Sequence, residues 1–251
     1  MNISANTLFH FTNEKDNLLS ILKNGFYHRL CLEKNELYSK PYNQMAIPMV
    51  CFCDIPLGNI LQHMNTYGNY ALGLSKEWAR KKGITPVLYA NNDSLALDSL
   101  RKQLYYINEE LTSSETDAFN KEILDGIFYF TCYIKQYEEM DLNIHAKGKR
   151  FYDEREWRYV PSFSAHGEQR LILSKIEFDN TDNKENINTI LEKNPLKYSI
   201  KDINYIIVKS DKDILDVKHS IEAIKGGRYS PKELELLVTK IISAEKITND
   251  F

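Results

Sequence analysis

Hydrophobic positions along the chain keep two different periods, and the switch between them divides it. Near the start, Leu8-Phe9-His10-Phe11 predicts a short strand. Thr12 or Asn13 then suits a helix cap, with Asp16 in the first turn, Leu18, Leu19, Ile21 and Leu22 on one side, and Gly25 at the end. Residues 47 to 53 read as a buried strand with Pro48 near its start, and Asp54 stands at its exit before Pro56 breaks the ladder. A strand is expected at 70 to 74, then a helix capped by Ser75 that passes Trp78 and stops at Gly83, then a strand at 86 to 89. From Ser94 to about Glu139 the spacing lengthens to that of helices: Leu97, Leu100, Leu104, Ile107 and Leu111 make one stripe, and Ile123, Ile127, Phe130 and Ile134 another. The two stripes predict a helical hairpin turning at Thr112-Ser113-Ser114. After it come a strand at 170 to 178, a helix at 183 to 191, an apolar strand at 205 to 208 and two closing helices, the last from Pro231 to about Ala244. No repeat or Gly/Ser/Pro-rich linker interrupts this order, so it predicts one α+β domain over residues 1 to 251, with a helical insertion at about 94 to 140.

Candidate chemistry concentrates at Lys149 to Val160. Period two places Glu154, Glu156 and Arg158 on one face of a strand and Trp157 and Tyr159 on the other. With the aromatic face inward, the opposite face presents two carboxylates roughly 7 Å apart by strand rise, and their repulsion is expected to raise one pKa. The same pattern also fits a half-exposed strand whose Glu and Arg pair along a wet face. A net charge of −3 argues against non-specific binding to a phosphate backbone, although Lys147, Lys149 and Arg150 form a local basic run that fits either a solvated loop or an attraction for phosphate. No apolar run approaches the roughly 20 residues that span a bilayer, so no membrane contact is expected. The start of the chain lacks a secretory pattern, which predicts a cytoplasmic protein with reduced thiols. Cys31 and Cys132 are isolated, and Cys51 and Cys53 share one face of their strand; a metal would need His10 or His63 to complete the set, so buried thiols without a metal are expected.

Three runs carry a family resemblance: Leu8-Phe9-His10-Phe11-Thr12, Ile21-Leu22-Lys23-Asn24-Gly25-Phe26, and Pro48-Met49-Val50-Cys51-Phe52-Cys53-Asp54-Ile55-Pro56. With His63, Tyr67-Gly68-Asn69-Tyr70, Gly73 to Trp78, Glu154 to Arg158 and the closing Ile241 to Ile247, they resemble the bacterial abortive-infection AbiGi family over nearly the whole chain. That resemblance implies phage resistance and a place in a toxin–antitoxin pair, with a cognate toxin or antitoxin as partner.

A more distant similarity is to ADP-ribosyltransferase-like domains, which begin with an aromatic-His-aromatic-Thr strand and a helix ending in Ile-Leu-x-x-Gly. It implies a split β-sheet core carrying the helical hairpin and C-terminal helices, and NAD as substrate. His10, Phe11 and Thr12 would then hold NAD, Tyr67 or Tyr70 would stack on nicotinamide, Glu156 would be catalytic and Glu154 would face a protein or nucleic-acid acceptor. The chemistry is coherent, because a carboxylate at the ribose stabilises the oxocarbenium-like charge that grows as nicotinamide leaves, and an aromatic face suits the cationic ring. By spacing alone His10 equally fits a core histidine, and the His63, Tyr67, Tyr70 group a packed corner. Three function classes follow: a mono-ADP-ribosyltransferase-like effector, a non-catalytic antitoxin or regulatory partner, and a metal-dependent nuclease built from Asp54, Glu154 and Glu156, with Asp54 fitting a turn before Pro56 as readily.

Overall fold

The structure is a computed structural model that describes residues 4–34, 37, 43–113, 118–139, 149–162 and 171–250. The first predicted strand forms as β1 (Thr7–Thr12). Helix α1 (Lys15–Asn24) buries Leu18 and Leu22 and ends at Gly25, whose φ of 83° lies in the left-handed region. Its cap is Glu14, without a side-chain bond, rather than Thr12 or Asn13. Thr12 is still paired opposite Tyr70, and its hydroxyl accepts from Asn17 Nδ2 at 3.0 Å.

Next come β2 (Arg29–Lys34) and the long β3 (Gln44–Cys53), in which Pro48 lies mid-strand, not near the start. It sits opposite Leu30, between the residues of β3 that pair with Leu173–Ser174 and those that pair with Glu156–Tyr159. Helix α2 (Leu61–Tyr67) leads into β4 (Tyr70–Ser75), and Ser75 caps α3 (Lys76–Lys81) by accepting from the Trp78 amide at 3.2 Å. The strand expected at 86 to 89 is two pieces, β5 (Thr85–Pro86) and β6 (Leu88–Ala90), because Val87 between them donates its amide to the Glu156 carbonyl at 3.1 Å.

The helical hairpin is present as α4 (Leu95–Ser113) and α5 (Ala118–Thr131); of the expected turn Thr112-Ser113-Ser114, the first two residues instead end α4, and Ser114 lies outside the described residues. Ile134, assigned by period to the second helix, instead opens β7 (Ile134–Gln136), which pairs in parallel with β6. Strand β8 is Glu156–Tyr159, and β9 is only Leu173–Ser174. The strand expected to run on to 178 gives way to α6 (Lys175–Asp179), because Ser174 and Glu177 close a capping box. Helix α7 (Thr181–Leu191), β10 (Ile203–Val208) and α8 (Lys212–Lys225) follow. The last predicted helix is likewise interrupted: α9 (Pro231–Val238) stops, Ile241–Ser243 pairs in parallel with β10 as β11, and α10 (Ala244–Asp250) ends the description.

The result is an α+β fold on a mixed sheet. Its main path runs β11-β10-β4-β1-β3-β8-β5, with β2 and β9 also on β3. Alternation along the strands dresses both faces. Leu8, Phe52, Leu72, Leu74 and Val208 pack with Leu18, Leu22, Val217 and Ile221 of α1 and α8, whereas Phe9, Cys53, Ala71 and Ile207 pack with Ile60, Met64 and Ile247 of the α2 and α10 side. Central strands covered on both faces are near-continuously apolar for that reason.

One seam in this sheet positions the site. Strands β1 and β3 are registered only at Phe9 opposite Cys53. Continued, the ladder would place Phe11 opposite Cys51; instead the His10 ring donates Nδ1–H to the Cys51 carbonyl at 2.8 Å. A side chain takes over a main-chain bond, and the strands part around it. On the other flank of β1, Gly68 (φ 109°) lets the chain turn into β4 with no side chain, since a Cβ there would lie 2.3 Å from the Thr12 carbonyl oxygen. Gly68→Ala is expected to lower unfolding free energy by at least about 2 kcal/mol in urea denaturation; wild-type stability would show that the turn can relocate.

Candidate functional site

The late acidic segment does not form a single strand. Residues Phe151–Glu154 make a 3-10 turn, Arg155 takes a left-handed conformation (φ 46°), and only then does β8 begin at Glu156. Glu154 therefore reaches its place from a turn. Both carboxylates nevertheless converge, because one ammonium lies between them: Lys135 Nζ is 2.7 Å from Glu154 Oε2 and 2.7 Å from Glu156 Oε2.

The remaining oxygens are also engaged. Glu156 Oε1 accepts from Arg158 Nε at 2.8 Å, and Glu154 Oε1 accepts from the Tyr67 hydroxyl at 2.5 Å and pairs with Lys149 Nζ at 2.6 Å. Arg158, wholly buried, gives its other nitrogens to the Cys132 carbonyl at 2.6 Å and to Glu33 at 3.1 Å. Three carboxylates, those of Glu33, Glu154 and Glu156, thus meet three cations, Lys135, Lys149 and Arg158. The cluster is neutral, which is the condition under which charges stay buried.

Its electrostatics correct the expectation of a raised carboxyl. Burial pushes the Glu156 pKa up, but Arg158 and Lys135 outweigh it and hold the group at about 2. For Glu154 burial is likewise overcome, by Lys135 and Lys149, and the pKa is lowered. Burial alone would lower Lys135, and Glu156, Glu33 and Glu154 together raise it. The two acids do not repel because a cation separates them. The aromatic face is inward as expected, with Trp157 and Tyr159 half-buried against the main core, but the acidic face is not open: Glu156 and Arg158 are buried, so β8 is covered on both sides.

Around the cluster lies a hollow of about 320 Å³, walled by both sides of the sheet seam. His10, Phe11, Tyr67, Glu154 and Glu156 all line it, and so do Cys31, Cys51, Cys53 and His63. A wider cleft of about 620 Å³ shares His63, Tyr67 and Glu154 with it and adds Lys149 and Arg150. Burial lowers the pKa of both His10 and His63, which favours the uncharged ring. Lys149 lies over the Tyr67 ring, 5.5 Å from its centroid. The face expected to receive a cationic ligand ring is therefore covered by the protein's own ammonium.

Two predicted residues do not join the hollow. The Thr12 hydroxyl is held by Asn17, and Tyr70 is buried in the main core with its hydroxyl on Asp213 at 3.2 Å. Asp54 is turned away from the acidic pair as well, accepting from Ser4 Oγ at 2.9 Å, the Ala5 amide at 3.1 Å and Lys76 Nζ at 2.7 Å. It fastens the start of β1. Sequence reasoning missed Lys135, hidden inside a stripe read as helical, and Glu33, on the unpredicted strand β2. The aromatic and β-branched run Thr131-Cys132-Tyr133-Ile134 just before Lys135 was the available strand signal.

Residues 24–209 match the model of a protein family described as "Putative abortive phage resistance protein AbiGi, antitoxin". The chain is also 28% identical over 235 residues to an abortive phage resistance protein AbiGi from Lactococcus lactis subsp. cremoris, an alignment covering 84% of this chain and 91% of that relative. No solved structure matches it. Among the described residues no helix is long and apolar enough to cross a membrane.

Removing the central cation should expose how much the cluster carries. Lys135→Met leaves two buried carboxylates facing each other and is expected to destabilise the protein by about 3–5 kcal/mol at neutral pH, read by urea denaturation; a loss under about 1 kcal/mol would mean water already screens the pair. The pH dependence has a definite sign. Glu156 drops from the ordinary 4.5 to about 2 on folding, so its stabilisation is complete above the unfolded value and disappears as pH falls through that interval. Melting curves between pH 2 and 6 should show this slope in the wild type and a shallower one in Glu156→Gln.

Proposed function

The chain belongs to the AbiGi family of abortive phage resistance proteins, and we propose that it serves phage resistance as an antitoxin, by binding a toxin partner and not by consuming NAD. One observation carries this reading. Every oxygen of Glu154 and Glu156 is committed to Lys135, Lys149, Arg158 or Tyr67. A carboxylate stabilises a developing oxocarbenium ion through uncompensated negative charge placed against the sugar, and here that charge is already met by buried cations. The family description, which includes the word antitoxin, supports the same direction.

A second reading, an ADP-ribosyltransferase-like enzyme with NAD as substrate and a protein or nucleic-acid acceptor, draws on a different observation. His10, Phe11, Tyr67, Glu154 and Glu156 share one hollow at a sheet seam, where the analogy would place a dinucleotide. On that reading Lys149, whose side chain is 47% exposed, swings off Glu154 and Tyr67 when substrate enters. Two measurements separate the readings. Pure protein incubated with NAD, alone and with host or phage protein and nucleic acid, is expected to release no nicotinamide above the buffer rate. In cells, co-expression is expected to relieve growth arrest caused by the toxin encoded with it. Nicotinamide release by the wild type that Glu156→Gln abolishes would overturn the antitoxin reading.

A further inference from the structure

Two histidines on the wall of the hollow keep hydrogen-bonding capacity that the fold leaves unspent. His10 bonds the Cys51 carbonyl through Nδ1 at 2.8 Å, and a carbonyl only accepts, so the ring proton is on Nδ1 and Nε2 carries a lone pair. Among the described residues nothing donates to that nitrogen. His63, on α2, is 8% exposed and lies against the Phe11 and Tyr67 rings, at 6.1 and 5.3 Å between centroids. Among the described residues it makes no hydrogen bond, so one of its ring nitrogens is left to donate and the other to accept. Burial lowers the pKa of both rings and so favours these neutral forms.

The neighbouring ion cluster does not meet this need. Covered polar atoms without partners are costly, yet every oxygen of Glu154 and Glu156 is already taken by Lys135, Lys149, Arg158 or Tyr67. That closed set also fixes the charge of a guest, because a charged molecule would shed its water in the hollow and meet no free counter-charge. Phe9, Phe11 and Phe52 supply aromatic wall, which suits another ring. A volume of about 320 Å³ is at the lower end of the roughly 300–1,000 Å³ of small-molecule sites, which gives room for one or two fused rings.

We propose that the hollow at the β1–β3 seam binds a small uncharged nitrogen heterocycle, which donates a ring N–H to His10 Nε2 and presents a second ring nitrogen to His63. The seam makes the site. Where the ladder stops at Phe9 and Cys53, the His10 ring takes over the Cys51 carbonyl, so one residue both holds the strands apart and offers an acceptor in the space between them. The guest differs from NAD, since it carries neither phosphate nor a cationic ring. The inference goes beyond the antitoxin reading: it rests on the closed charge set and not on contact with a toxin, so failure to relieve growth arrest in cells would leave binding by the pure chain as it is.

Two probes of nearly the same outline test it by chemical-shift titration of the full chain carrying isotope-labelled histidine. Benzimidazole offers one ring N–H and one ring acceptor, and benzofuran has no donor. Benzimidazole is expected to shift the ring-nitrogen signals of His10 and His63 saturably, and benzofuran to bind more weakly by about tenfold or more, since His10 Nε2 then gains no partner. His63→Phe keeps an aromatic ring in place without its nitrogens and is expected to weaken benzimidazole by about tenfold while leaving benzofuran within about twofold. If that variant does not fold, the two probes on the wild type still decide. No saturable shift with benzimidazole at millimolar concentration, equal affinity for the two probes, or unchanged benzimidazole affinity in folded His63→Phe would each overturn the proposal.

Discussion

A single ammonium group joins the two buried acids of the candidate site. Lys135 bridges Glu154 and Glu156, with both contacts at 2.7 Å, and those acids sit on either side of the left-handed residue Arg155 that precedes β8. Deliver the lysine, and a 3-10 turn and a strand can carry two acids into the interior beside a buried arginine. Withhold it, and the same acids repel in a medium where screening is weak. The helical hairpin of α4 and α5 has a structural task in this light: its return strand β7, paired with β6, sets Lys135 at the acids. An element that looks inserted in sequence completes the core.

The sheet seam is the second constraint. Where β1 and β3 part, the His10 ring holds the Cys51 carbonyl and a main-chain ladder does not continue. A buried carbonyl is thereby satisfied, and the space that strand contact would have filled becomes the hollow. Its walls are aromatic and thiol groups and its floor is the neutral ion cluster. A floor of compensated charge offers little free field to polarise a substrate.

Much of the framework was legible in the residues. Short apolar runs bounded by turn residues placed β1, β3, β4 and β10, glycine marked the end of α1, and His10, Phe11, Tyr67 and the two glutamates, grouped beforehand by resemblance, line one hollow. Periodicity failed where two elements share a phase. Ile134 continues the stripe of α5, and Ile241 and Ile242 follow the apolar spacing of α9, so strands β7 and β11 were read as helix. Thr12 and Tyr70 were assigned to the site by motif, but their side chains are held by Asn17 and Asp213 instead.

The sequence by itself determined which segments could be buried and which residues carried ionisable chemistry, because those depend on side-chain identity and on spacing over a few residues. Only the tertiary structure decided the state of that chemistry. Arg158 meets Glu33 across 125 positions of sequence, and Lys135 meets Glu154 across 19. Whether a carboxylate is activated or neutralised depends on the charges within a few ångströms of it, and no local pattern states which distant residue the fold will bring there.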